Sequence, residues 1–94
     1  MVVGVCMLEL NIPMASSLKD KRRVVRSLKA RLRNEYNVSV AEVGRQDSRQ
    51  VAIIAVVTVN RDKDYAHGLL TRAARWVENS RLDCELVDYE IELI

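Results

Sequence analysis

Every second residue from Cys6 to Ile12 is apolar (Cys6, Leu8, Leu10, Ile12), so "VVGVCMLELNI" is predicted to be a strand with one face toward a core. Pro13 ends it. Ser17 stands three residues before Asp20, an approximate capping box, and Leu18, Val25, Leu28, Leu32 and Tyr36 then recur at helical spacing as one apolar stripe. That helix runs out between Asn34 and Asn37. "VSVAEV" (Val38 to Val43) alternates weakly as a second strand. "GRQDSRQ" is a polar loop, and "VAIIAVVTVN" is a third strand, apolar on both faces. Asp62 or Asp64 caps a second helix, whose buried face is predicted to be Ala66, Leu69, Leu70, Ala73, Trp76 and Val77. The closing "LDCELVDYEIELI" alternates again, with Val87, Tyr89, Ile91 and Leu93 expected inward and Asp88, Glu90 and Glu92 opposite.

Strand, helix, strand, strand, helix, strand is the order of the split βαβ, or ferredoxin-like, α+β arrangement: a four-stranded antiparallel sheet with two helices on one face. The 94 residues make one such domain, 1–94, with no linker and no repeat beyond a weak similarity of its halves. Two helices cover only one side of the sheet. Val3, Val5 and Met7, with the outward half of the third strand, would leave a contiguous apolar surface, so a homodimer or higher homo-oligomer through that face is expected.

Apolar residues make up 49% of the chain but aromatics only 4%, with no Phe, so the core must be aliphatic and rows of base-stacking rings are excluded. Cys6 and Cys84 lack the clustered spacing of a disulfide framework or zinc site and read as free thiols. The apolar start is broken by Glu9 and Asn11, unlike a secretory leader, and the run Val51 to Val57 is far shorter than the roughly 18 to 20 residues of a membrane span. A cytoplasmic protein with no membrane partner is expected.

Charge changes the picture. In "SLKDKRRVVRSLKARLR", Ser17 to Arg33, eight residues are Lys or Arg and only Asp20 is acidic, a formal +7. The whole chain is +2, so the other 77 residues, with seven basic and twelve acidic side chains, carry −5. At 100° per residue, Lys19, Arg22, Arg23, Arg26, Lys29 and Arg33 fall within an arc of roughly 120° turned away from the apolar stripe. Lys21 is outside this ridge; it projects toward the apolar side and must reach solvent or a carboxylate from the first turn. A ridge of like charges weakens a helix by a few tenths of a kcal/mol per neighbouring pair. Three ends would account for it: a solvated face, a polyanion partner such as RNA whose phosphates match a row of guanidinium groups, or the acidic row Asp88, Glu90, Glu92 of another subunit. In the loop "GRQDSRQ", Gly44 permits a turn, while Arg45 and Arg49 add charge to the candidate nucleic-acid surface. Contact through helix and loop would read phosphates and shape, with little base selectivity.

Catalytic material is thin. His67 is the lone histidine and lies beside Gly68, off the apolar stripe of the second helix. No Ser or Cys stands near a base, and no phosphate-loop, dinucleotide or metal-ligand spacing occurs, so no catalytic residue, cofactor or metal site is assigned.

The "SLKDKRR" start of the basic helix, "NVSVAEV" and the "QD" at Gln46 and Asp47 resemble the YlxP-like family of small bacterial proteins of unknown function, almost end to end. The resemblance implies a ferredoxin-like fold, bacterial cytoplasm and genes beside transcription-elongation, translation-initiation and ribosome-maturation factors, hence an RNA or ribosome partner. It supplies no catalytic residues. Members often carry His before the "QD" and an aromatic soon after it; this chain has Arg45, then Ser48 and Arg49, replacing a stack with charge.

Overall fold

A computed structural model describes all 94 residues. The elements are β1 (Val2–Asn11), α1 (Leu18–Glu35), β2 (Ser39–Gly44), β3 (Val51–Asn60), α2 (Lys63–Glu78) and β4 (Glu85–Leu93). The strands form one antiparallel sheet in the order β2-β3-β1-β4, with both helices on one side, the ferredoxin-like α+β arrangement. Its centre is the pairing of the two ten-residue strands, Cys6 opposite Val56 and Leu8 opposite Ile54.

Each helix begins where a side chain takes over the free backbone N–H groups of the first turn. Ser17 Oγ accepts from Asp20 N at 3.1 Å, and Asp20 Oδ2 accepts in return from the Ser16 N–H (3.1 Å) and Oγ–H (2.8 Å). The capping box thus closes one residue further back than its usual form. Asp62, not Asp64, caps α2, accepting from Asp64 N and Tyr65 N.

The core lies between sheet and helices and is aliphatic: Leu8, Leu10 and Ile12 from β1 and the turn after it, Ile54 and Val56 from β3, Leu28 and Leu32 from α1, Leu70 and Val77 from α2. Tyr36 and Trp76 pack only at its margin. α2 sits over β1, β3 and β4, and α1 over the β2 side. At Gly4 the approach is close enough that a Cβ would stand 2.8 Å from Leu70 Cδ1, so a larger residue there would require the Leu70 side chain to shift.

The expected phase of β4 holds for Tyr89 and Ile91, which pair with Leu8 and Cys6 on the helix side, and fails for Val87. Between Glu9 and Leu10 the register slips, so that Asp88 faces Glu9 but Leu86 faces Leu10. Val87 is the extra residue of a β-bulge and is 57% exposed, while Leu86 takes the inward place. Tyr89 and Leu93 point inward yet stay over a third exposed, because β4 is an edge strand.

Candidate polyanion-binding surface

α1 presents two faces of opposite character. Val25, Leu28 and Leu32 are buried against the sheet, and Lys21 is buried among them at 1% exposure. Its ammonium donates to Arg45 O at 2.7 Å and Val51 O at 3.0 Å and pairs with Glu42 Oε2 at 3.1 Å. All three acceptors come from β2, β3 and the loop joining them. Lys21 therefore meets its carboxylate between α1 and the sheet, and through it the loop is fixed to the first turn of α1. Glu42 Oε2 accepts no hydrogen bond, so the Lys21 ammonium is its one partner, as an ion pair.

The opposite face bears the ridge. Lys19, Arg22, Arg23 and Arg26 are exposed and together line one shallow concavity that no apolar side chain enters. Of these only Arg23 has a carboxylate near it, Asp20 Oδ1 at 3.9 Å. Asp20 itself is held below the ordinary carboxylate pKa of 3.8, first by the Ser16 hydroxyl and backbone N–H, with Ser17 and Arg23 adding to them. Further along, Lys29 is half-buried, and Arg33 Nη2 donates to Val40 O at 2.8 Å, tying the end of α1 to β2. The ridge expected over six residues therefore divides into four exposed cations in the N-terminal half of the helix, of which Arg23 alone has a carboxylate near it, the half-buried Lys29, and an arginine, Arg33, spent partly on the fold.

The loop arginines stand apart from that concavity. Arg45 has φ 58°, in the left-handed region, and its carbonyl accepts both from Lys21 and from Ser48 N at 3.0 Å, closing a turn. The turn expected to rest on Gly44 rests on Arg45 instead. Gly44 has a negative φ and ends β2 opposite Ile53, where a Cβ would stand 3.3 Å from Ile53 Cβ and Cγ1. Glycine at 44 answers a close approach, not a turn. Arg49 lies in a polar groove between this loop and the turn before α1, beside Ser16, Ser48 and Gln50. Gln50 crosses it, Nε2 donating to Pro13 O and Ala15 O while its carbonyl accepts from Ile12 N at 2.7 Å.

His67 is exposed on α2, and no three His, Cys, Asp or Glu side chains come together as a metal site would require. No helix is long and apolar enough to cross a membrane.

Residues 3–91 match the family described as "Protein of unknown function (DUF503)". The chain belongs to that family. It is also similar to the "Uncharacterized protein YlxP" of Bacillus subtilis (strain 168), 30% identical over 78 residues, which are 83% of this chain and 85% of the relative. Among solved structures it resembles the de novo designed protein Foldit4 with a TM-score of 0.54 and 17% identity, over 100% of this chain and 97% of that one. The last likeness bears on the fold alone.

Proposed function

We propose that this DUF503 protein is a non-catalytic binder of structured RNA, free or in the ribosome, that grips phosphates through Lys19, Arg22, Arg23 and Arg26, with Arg45 and Arg49 of the β2–β3 loop as a separate second contact. One observation carries the reading: four exposed cations share a concavity at the N-terminal half of α1 with a single acidic neighbour. That is the wrong end of a helix for cations. The helix dipole is positive there but reaches little beyond the first turn, so it disfavours Lys19, by roughly 0.3 to 1 kcal/mol, while the arginines that follow chiefly repel one another. An anion lying along the ridge relieves that repulsion, and at Lys19 the dipole adds to the attraction of the side chains. The side of the sheet away from the helices carries no aromatic ring for base stacking, so affinity should come from phosphates and depend steeply on salt.

The test is fluorescence anisotropy of labelled ribosomal RNA fragments, and of an unrelated RNA of equal length, at two salt concentrations. The expected result is salt-sensitive binding that the Arg22→Glu/Arg26→Glu variant loses with its circular dichroism unchanged. Undiminished binding by that variant would overturn the reading.

A second reading has the ridge of one copy meeting the acidic row of another, and its support is that Asp88, Glu90 and Glu92 are all exposed. Such a contact is head-to-tail, forming a ring or an open chain according to its rotation, and either assembly would shrink as salt is added.

A further inference from the structure

The side of the sheet away from the helices is arranged in rows across the four strands. Strand pairing fixes which residues share a row. One row is Glu92, Val5, Val57 and Ser39 in the order β4, β1, β3, β2; the next is Glu90, Met7, Ala55 and Ala41; the third is Asp88, Glu9, Ile53 and Gly44. Each row runs from a carboxylate at the β4 margin, through the two central strands, to a small residue at the β2 margin. No Lys or Arg occurs in any of them. Four strands spaced by about 4.8 Å and up to ten residues long give a face of about 600 Å². That area includes the acidic β4 margin and Glu9, and it approaches the roughly 800 Å² per partner of a stable complex.

The geometry points to a second copy of this chain as the occupant of this face, packed sheet to sheet about a two-fold axis that runs along the strands between β1 and β3. Two arrangements are open to a symmetric pair, and charge chooses between them. An axis across the strands would lay β4 on β4 and set the carboxylates of the two copies against each other. An axis along the strands lays β4 on the partner's β2, where each β4 carboxylate meets Ser39, Ala41 or Gly44 at a hydrated rim, while Glu9, the one charge these rows place on the two central strands, falls over the partner's Ile53 two residues from the end of β1 and must reach water at that end of the contact. Size agrees with charge. In the second row the same operation sets the long Met7 side chain of each copy over Ala55 of the other, a large residue over a small one at both places. In the first it sets Val5 over Val57. Met7 is 36% exposed in the single chain, and this contact is what would cover it.

The contact uses neither α1 nor the loop arginines, so it stands or falls separately from RNA binding. Its test is sedimentation equilibrium of the full chain at micromolar concentration, with circular dichroism as the folding control. Unsubstituted protein should sediment at twice the chain mass. Met7→Glu and Ala55→Lys, each alone, bury two uncompensated charges per dimer and should weaken association at least about a hundredfold. Mixed in equal amounts, the two variants place one carboxylate over one ammonium and should pair with each other. A monomer at all concentrations, an oligomer indifferent to Met7→Glu, or a folded mixture that fails to pair would each overturn the assignment; the last of these would reject the Met7-over-Ala55 register.

Discussion

The ammonium of Lys21 and the carboxylate of Glu42 meet 3.1 Å apart beneath α1, each the one charged group on an otherwise apolar face of its element. The pair sits with the carbonyls of Arg45 and Val51, so one lysine holds helix, strand and loop together. Replacing it by an apolar residue of similar length strands a part-buried carboxylate and two carbonyls. Lys21→Met should therefore cost about 3 kcal/mol in urea unfolding, and Lys21→Met/Glu42→Leu should recover part of that loss by removing the unpaired charge. A double variant no more stable than Lys21→Met would show that the pair is not the source of the cost.

The same pair marks where the sequence was legible and where it was not. Periodicities of two and 3.6 located all six elements, because Leu8, Leu10, Leu28, Leu32, Leu69 and Leu70 had to face one core. Lys21 was visible as a lysine out of place on the apolar stripe, but its partner lay on a strand whose alternation was weak. That weakness was itself the signal: Glu42 shares the inward phase of Val40, and two misplaced charges of opposite sign on facing elements satisfy each other. The bulge at Val87 left no such trace, since a one-residue slip alters neither composition nor alternation enough to show. Arg33 looked equivalent to Arg22 by helical angle alone. Only the position of Val40 O separates them.

That separation is measurable. Arg33→Ala loses a charge-assisted hydrogen bond to Val40 O and should lower stability by about 1.5 kcal/mol while leaving most RNA affinity in place. Arg22→Ala touches no internal partner; it should leave the urea midpoint unchanged and reduce the slope of log K against log salt by about 0.7 on single-stranded RNA. Equal effects of the two substitutions on both quantities would contradict the division of the ridge.

Asp20 sets an acid limb for stability. Its folded pKa lies below the ordinary 3.8, chiefly through Ser16, so the folded state releases its proton more readily than the unfolded state. The contribution is fully present above the unfolded pKa and is lost as pH falls through the folded one. Asp20→Asn should accordingly flatten the fall in stability below about pH 4, and the Asp20 carboxyl carbon should titrate below 3.8 by NMR. A titration at or above that value would remove the basis for the cap's pH dependence.

The two thiols should differ from free cysteine in the opposite direction. Burial raises Cys6 to about 11, and burial followed by the Asp83 carboxylate raises Cys84. Folded protein at pH 8 should react slowly with a thiol reagent at Cys84 and not at all at Cys6 until it unfolds. The unfolded chain ionises its thiols first on the alkaline side, so stability should fall as pH rises from about 9 toward 11, and Cys6→Ala should reduce that slope. Rapid labelling of Cys6 in folded protein would show that β1 opens locally.

Gly44 and Arg45 invite a paired substitution, because each residue type occupies the conformation that would suit its neighbour. Arg45 adopts φ 58° without glycine's freedom, at a cost of roughly 1 to 2 kcal/mol that the hydrogen bonds of its carbonyl to Lys21 and Ser48 offset. Arg45→Gly relieves that strain but adds freedom to the unfolded chain, worth roughly 0.5 to 1 kcal/mol, so stability should rise by only about 0.5 kcal/mol. Gly44→Ala gains nothing from φ and drives a Cβ to 3.3 Å from two atoms of Ile53, where β-branching leaves the side chain little room to turn. It should lower stability by about 1 kcal/mol. Thermal unfolding of the two variants should therefore move the midpoint in opposite directions; a gain from Gly44→Ala would mean that β2 and β3, whose register shifts between Glu42 and Gly44, separate there more readily than the packing of Ile53 implies.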